Sequence, residues 1–353
     1  MLNTEPEFRP ASKVVHVAVA VITKEDLVSG KRSILIAKRP DHVHQGGLWE
    51  FPGGKVEQGE SLLRALDREL FEELDIRLIT AETDSEKYQA SRPMIQIQHA
   101  YPDKTVFLDV CLVSRFSGQP TGKEGQALSW VSLDQLKDYR FPEANRPIVS
   151  ACLLPERYYI TPEYPSISAA ESGLKCALSQ HAQLIYLRQP LLAEDEYNSL
   201  VEALLQSMPD LSSRLMYQYE STLDAFSGAG LHLSVSRSKQ LSKRPLSQST
   251  WFAMSCHNQD EVDHAHEIGA DFITLSPVLK TQTHPSHKSL GWSEFSKLTQ
   301  VSKVPVYGLG GLEPKDANRL FKAGAQGLAG IRFWQTTNSE LTVSDALSGG
   351  DDD

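Results

Sequence analysis

The sequence predicts two folded domains in tandem, a compact α+β unit of about 140 residues followed by a compact (β/α)8 barrel. Three observations carry this expectation. The chain has 353 residues, which corresponds to about two domains at roughly 150 residues each. In residues 14–154 apolar strand-like runs flank one strongly helical segment. After that, eight short apolar runs alternate with mostly helical spacers.

Residues 1–12 read as a polar leader. VVHVAVAVI (14–22) and SILIAKR (33–39) are strand-like and are joined by a polar, glycine-containing connection. FPGGKVEQGE (51–60) reads as a turn-rich loop, and SLLRALDRELFEELDI (61–76) as a helix. IQIQHAY (95–101), TVFLDVCLVSRF (105–116) and LSWVSL (128–133) supply further strands. FPEANRPIVSACLL (141–154) begins as a loop and runs into an apolar segment, so the first domain is set at 13–153. The barrel strands are expected at RYYIT (157–161), LIYLR (184–188), RLMYQY (214–219), GLHLSV (230–235), WFAMSC (251–256), DFITLSPV (271–278), VPVYGLGG (304–311) and GLAGIRFW (327–334). Helical patterns such as EDEYNSLVEALLQSM and PKDANRLFKAGA fill most gaps, and the least room for a helix is at 219–230. The barrel is set at 156–335, and the polar tail 336–353 is expected to be disordered.

Composition bounds the function. The 35 Lys and Arg against 45 Asp and Glu give a net charge of −10. That balance argues against a duplex nucleic-acid surface, which needs clustered positive charge, but leaves room for a small basic pocket. Cys111, Cys152, Cys176 and Cys256 are scattered without a CxxC pair, which argues against a disulfide framework or a cysteine zinc site and for a reducing cytoplasm. The longest apolar stretch, Val14 to Ile22, is interrupted by His16 and is far too short for a membrane span. The N-terminus has no signal-type apolar core. A soluble, cytoplasmic protein with no membrane partner is expected; oligomeric state is left open.

The helical segment is where the chemistry concentrates. At about 100° per residue, Leu62, Leu63, Leu66, Leu70 and Leu74 form one apolar arc, with Arg64, Asp67 and Arg68 on the far side. Glu73 projects between Leu62 and Leu66, Glu69 sits at the edge of the arc, and Glu72 lies about one turn from Glu69 on the same flank. Carboxylates at a core edge repel one another and lose hydration, so they are tolerable with a compensating cation. Clustered hard oxygen donors favour Mg²⁺ or Mn²⁺ over zinc. From the helix alone, an ordinary wet face of helix-favouring residues stays open as the alternative. The preceding glycine-rich loop weighs against it.

Gly54, five residues, Glu60, seven residues, Arg68-Glu69-Leu70, one residue and Glu72-Glu73 together resemble the Nudix box. One position departs: Asp75 stands where that family usually has a glycine, which serves as a left-handed helix cap. Asp tolerates that conformation better than most residues. AKRPDHVHQGGLWEFPGGK, YPDKTVFLDVCLV, SGQPTGKEGQALSWVSL and FPEANRPIV are similar, in order and spacing, to the MutT branch, the 8-oxo-dGTP diphosphatases. The resemblance spans about residues 14–150 and implies a mixed sheet with flanking helices.

It also implies roles. Glu69, Glu72 and Glu73 would hold Mg²⁺, with Mn²⁺ able to substitute, and the Gly53 carbonyl and Glu124 would be further ligands. Either Glu69 or Glu124 would activate the attacking water, and the choice stays open. Glu60 and Arg68 would support them, Arg68 by paired hydrogen bonds to a carboxylate. Arg39 and His44 match phosphate-contacting positions. Glu50, Phe51, Pro52 and Gly53 would line the base pocket, and Asn145 would read the base, unless it simply caps a helix. An amide offers a donor and an acceptor, which suits the O6 carbonyl and protonated N7 of 8-oxoguanine but not the two acceptors of guanine. An unpaired buried polar group costs about 1–3 kcal/mol. The implied reaction is hydrolysis of a nucleoside triphosphate, 8-oxo-dGTP, to 8-oxo-dGMP and pyrophosphate.

The second half is similar to thiamine phosphate synthase and its TenI-like relatives, through YYITPEYP, GLHLS, GADFITLSPVLKTQTHP, VPVYGLGGL and AGAQGLAGI. A phosphate site is implied at Gly310 and Gly311, with hydroxyls from Thr281 and Thr283 and the cation of Arg188. The departures are larger here. MYQYE lacks the family's aspartate after the third strand, HLSVSRS puts Arg237 near a second acidic position, and His284 replaces the lysine of TxTK. Without acidic ligands, a Mg²⁺-diphosphate site has little support. The barrel is left as a sensor for a phosphorylated small molecule, an altered enzyme or a structural remnant. A hydrolase serving thiamine metabolism is the alternative for the whole chain.

Overall fold

The computed structural model describes residues 14–25, 31–43, 45–79, 91–102, 104–281 and 288–331. His44, Thr283, His284, the polar leader and the tail from residue 332 lie outside these residues. The chain divides into two compact units between Arg146 and Pro147.

The first unit is built on a mixed sheet. The strands of this unit among the described residues are β1 (Val14–Glu25), β2 (Arg32–Lys38), β3 (Trp49–Glu50), β4 (Gly53–Lys55), β5 (Arg77–Leu78), β6 (Ser91–Ala100), β7 (Thr105–Val113), β8 (Phe116–Ser117) and β9 (Leu128–Ser132). The central path runs β3-β2-β1-β7-β6, with β4 added to β1 and β9 to β2, while β5 and β8 form a separate pair. The long β-branched run of β1 pairs parallel with β7 and antiparallel with β2 and β4. The segment 51–60, expected to be a loop, therefore contributes a strand. Gly53 and Gly54 stand opposite Val19 and Ala18. At Gly53, where φ is +146°, a Cβ would overlap the Ala18 carbonyl, so only glycine permits this close pairing.

Helix α1 (Leu62–Leu74) lies on that sheet. Its Ser61 N-cap accepts from the Arg64 N–H, and Asp75 closes it in the left-handed region at φ 59°. The departure from glycine is thus absorbed without lengthening the helix. Ala65, Leu66, Leu70 and Leu74 are fully buried against Ala18, Ala20, Ile22, Leu35 and Val113; burial of each such leucine stabilises by about 1.5–3 kcal/mol. Two expected positions are corrected. Leu63 is 41% exposed and outside the core. Arg68, placed on the far side by ideal periodicity, turns inward to the carboxylates that pull it there.

Helix α2 (Arg146–Leu153) leads to the second unit. There a closed parallel barrel has eight strands: β10 (Arg157–Ile160), β11 (Ile185–Tyr186), β12 (Leu215–Tyr217), β13 (Gly230–Leu233), β14 (Trp251–Cys256), β15 (Phe272–Leu275), β16 (Val306–Leu309) and β17 (Gly327–Gly330). The ring closes through β10 and β17. The described helices outside the strands are α3 (Ile167–Ser179), α4 (Glu194–Ser207), α5 (Glu220–Phe226), α6 (Val235–Ser238), α7 (Gln259–Glu267), α8 (Gly291–Val301) and α9 (Ala317–Lys322). The tight interval at 219–230 holds the seven-residue α5. Inward side chains Tyr158, Tyr186, Met216, Phe272 and Tyr307 fill the barrel. No helix is long and apolar enough to cross a membrane among the described residues.

Candidate active site

Four carboxylates from three segments of the first unit crowd around Gly53 and Gly54 of β4. Glu69 and Glu73 come from α1, Glu50 from the end of β3, and Glu124 from the loop between β8 and β9. Burial, then repulsion from Glu50, Glu69 and Glu124, pushes the Glu73 carboxyl up to about 8, although the Gly53 N–H at 3.4 Å opposes the rise. Burial also raises Glu50, offset by the guanidinium of Arg39, with which it forms a close ion pair. Gly54 lets the Glu69 carboxylate lie directly against the backbone, because a Cβ there would overlap it.

Arg68 organises the near side of this group. Its Nε and Nη2 donate to the two oxygens of Glu60 at 3.1 and 3.0 Å, a paired grip that holds Glu60 below the usual carboxylate range. Nη1 donates to Glu69 at 2.7 Å and reaches Glu72 at 3.4 Å, and Nη2 also donates to the Lys55 carbonyl. Glu72 is exposed, its carboxylate on the solvent side of the helix. Among the described residues no three His, Cys, Asp or Glu side chains stand in metal-holding geometry. The donor set is nonetheless all oxygen and mutually repelling, the chemistry that suits a hard divalent ion. The groups expected to hold one are the Gly53 carbonyl, Glu69, Glu72, Glu73 and Glu124, of which Glu72 and Glu124 stand exposed.

The Glu124 loop is docked on the last turn of α1. Thr121 N–H donates to the Leu74 carbonyl and Lys123 N–H to the Glu73 carbonyl, at 2.9 and 3.0 Å. These are helix-end carbonyls with no intrahelical donor. Gln126, within the GKEGQ run but not singled out from sequence, joins the same network through its side chain. Lys123 Nζ also pairs with Asp75 at 3.2 Å.

Among the residues expected to line a base pocket, Phe51 is 4% exposed and stacks on Phe141 with ring centroids 5.3 Å apart. The Pro52 carbonyl is taken by the Ala20 N–H. Asn145 ends a short 3₁₀ turn, Glu143–Asn145, directly before α2. Its side-chain amide has no hydrogen bond among the described residues, so it is not spent on capping. Tyr101, which sequence reading passed over, bonds Gln45 and the Ala144 backbone and lies near Arg39 and Glu143.

The mouth of the barrel carries cations and amides. Arg188 follows β11, its N–H on Thr161 Oγ1. Arg237 stacks over Tyr219 at 4.0 Å and donates to the Gln218 carbonyl. Gln189 and Gln218 are buried, and the Gln218 side chain clasps the Gln189 main chain, Oε1 accepting from its N–H and Nε2 donating to its carbonyl, while the Gln189 side chain donates to Thr161 Oγ1 and the Pro162 carbonyl. Gly310 and Gly311 have φ of 96° and 71°, and the chain at 277–281 passes so close that a Cβ on Gly310 would meet Pro277 and Thr281 and one on Gly311 would meet Leu279 and the Lys280 carbonyl. Inside, His232 is fully buried, stacked on Tyr186 and bonded to Tyr158 and Ser255 at 2.8 and 3.0 Å; burial first, then Arg188, lowers it to about 3.

Residues 19–151 match the family described as NUDIX domain, and residues 157–333 match thiamine monophosphate synthase. Over 138 residues the chain is 35% identical to an 8-oxo-dGTP diphosphatase of Escherichia coli K12, a stretch that is 39% of this chain and 95% of that protein. It is 37% identical over 139 residues to a CTP pyrophosphohydrolase of the same organism, covering 39% and 91%. Over 183 residues it is 27% identical to putative thiamine-phosphate synthase 2 of Aquifex aeolicus VF5, covering 51% and 98%.

Proposed function

Because the chain belongs to the Nudix hydrolases through its first domain and to the thiamine monophosphate synthase family through its second, we propose that it is a divalent-metal-dependent pyrophosphohydrolase that clears 8-oxo-dGTP to 8-oxo-dGMP and pyrophosphate. That the first domain is a Nudix pyrophosphohydrolase follows from the family; the metal and the substrate are the proposal. The observation that carries it is the crowding of Glu50, Glu69, Glu73 and Glu124, which with burial raises the Glu73 carboxyl well above the usual carboxylate range.

A bound Mg²⁺ would neutralise phosphate oxygens and lower the pKa of its water. The remaining work belongs to side chains. Glu69 or Glu124 takes the proton of the attacking water, Arg68 holds Glu69 and Glu60 in place, and Arg39 meets the phosphates. Asn145 offers its unspent amide to O6 and N7–H of the oxidised base. The relatives divide between an 8-oxo-dGTP diphosphatase and a CTP pyrophosphohydrolase, so the test is a panel of 8-oxo-dGTP, dGTP, CTP and thiamine diphosphate with Mg²⁺. The proposal expects the oxidised nucleotide to have the highest kcat/KM, with pyrophosphate released. Preference for CTP, dGTP or thiamine diphosphate would overturn the assigned substrate.

For the barrel, the guanidiniums of Arg188 and Arg237 at its mouth favour a phosphorylated small molecule held without metal over the Mg²⁺-diphosphate chemistry of a synthase. Calorimetry with thiamine phosphate, with and without Mg²⁺, tests this: binding that needs Mg²⁺ would contradict it.

A further inference from the structure

One side-chain amide joins the two segments that carry the crowded carboxylates. Gln126 Nε2 donates to the Glu73 carbonyl at 3.1 Å, and Gln126 Oε1 accepts from the Glu124 N–H at 2.9 Å. Both halves of the amide are therefore committed to the main chain of residues whose side chains repel each other. Gly122 leaves room for this arrangement, because a Cβ there would overlap the Gln126 carbonyl and lie 3.0 Å from Oε1. Glu124 itself is exposed, and among the described residues no hydrogen bond or ion pair restrains its carboxylate. Its position follows from the loop backbone, which is held on α1 by the Thr121 and Lys123 N–H groups on one side of Glu124 and by the Gln126 amide on the other.

We propose that Gln126 is a positioning residue for the hydrolytic site, registering the Glu124 loop against the last turn of α1 so that the Glu124 and Glu73 carboxylates serve one bound ion. It touches no reacting atom. This rests on the reading above, in which those carboxylates serve a metal–nucleotide complex. Loss of a residue that orients metal ligands costs roughly ten- to hundredfold in metal affinity or activity.

The test uses the full chain. Gln126→Met removes both bonds at similar volume, and Gln126→Glu keeps an acceptor for the Glu124 N–H but loses the donor to Glu73. Three readouts apply: kcat and KM for the nucleotide, Mn²⁺ binding without nucleotide, and hydrogen exchange of the Glu124 amide. The proposal expects Gln126→Met to lower kcat at least tenfold with KM within about twofold, to weaken Mn²⁺ binding, and to speed exchange at Glu124. In a Glu124→Gln background, Gln126→Met should lower kcat no further, because the group it positions is already gone. A kcat for Gln126→Met equal to the parent's, or an equal fall in both backgrounds, overturns the proposal. Should Gln126→Met fail to fold, Gln126→Glu carries the same comparison. If the parent chain hydrolyses no nucleotide with any divalent ion, the underlying reading fails instead; Mn²⁺ binding and amide exchange still judge the role of Gln126.

Discussion

Replacing Glu73 by glutamine should stabilise the metal-free first domain while abolishing its activity. The carboxyl titrates near 4.5 in an unfolded chain and is pushed up to about 8 in the fold, by burial and then by Glu50, Glu69 and Glu124. Between those values the folded state holds the proton more tightly, so stability falls as pH rises from about 4.5 to 8. At pH 7 the penalty is about 3 kcal/mol, the 2.5-unit gap from 4.5 taken at about 1.4 kcal/mol per unit. Glutamine keeps an oxygen for the Gly53 N–H and carries no charge. Its melting temperature in chelator at pH 7 should rise by several degrees, up to about 10 °C at roughly 4 °C per kcal/mol. Saturating Mg²⁺ should then stabilise the parent by about 3 kcal/mol at a hundred times its dissociation constant, and the variant much less. Calorimetric scans with chelator and with Mg²⁺ make the comparison. A variant that melts below the parent in chelator, and gains as much from Mg²⁺, refutes the view of Glu73 as a crowded carboxylate awaiting a cation.

Three further outcomes follow from named contacts. Gly54→Ala displaces the Glu69 carboxylate rather than backbone, so the domain should stay folded by circular dichroism while kcat falls at least about a hundredfold. Asn145→Ala should leave dGTP turnover nearly unchanged and shrink the preference for 8-oxo-dGTP by roughly ten- to hundredfold in competing-substrate kcat/KM, the worth of one unpaired polar group. His232, held near 3 against 6.5 unfolded, favours the fold above pH 6.5 and loses that contribution as pH falls; between pH 7 and 5 the barrel should lose about 2 kcal/mol in urea titration. His266, lowered to about 4, adds a loss of the same sign, and His232→Asn should flatten the slope.

Local signals carried much of the architecture. The helix expected over 61–76 is α1 to within two residues, and its end at Asp75 was legible because a cap acts within one turn; the eight barrel strands were legible because each is a short apolar run. Ideal helical periodicity misplaced Leu63 and Arg68, since it ranks angles without knowing that Glu60 and Glu69 would draw the guanidinium inward. The Gly53–Gly54 strand was read as a loop because glycine disfavours strands on its own; the partner that makes it a strand, β1, lies more than thirty residues away. Gln126 gave no signal in its own spacing, because its meaning is a contact with Glu73 at a separation of 53 residues.

Sequence alone determined the tandem organisation, the carboxylate helix and its cap, and the family kinships, because these follow from residue order and short-range pattern. Only the tertiary structure decided which carboxylates share a site. Glu50 and Glu124 meet Glu73 through strand pairing and loop docking, and their mutual repulsion depends on distance and burial, which no linear pattern encodes. The same holds in the barrel, where the Gln218 side chain reaches the Gln189 main chain only when the neighbouring parallel strands β11 and β12 pair.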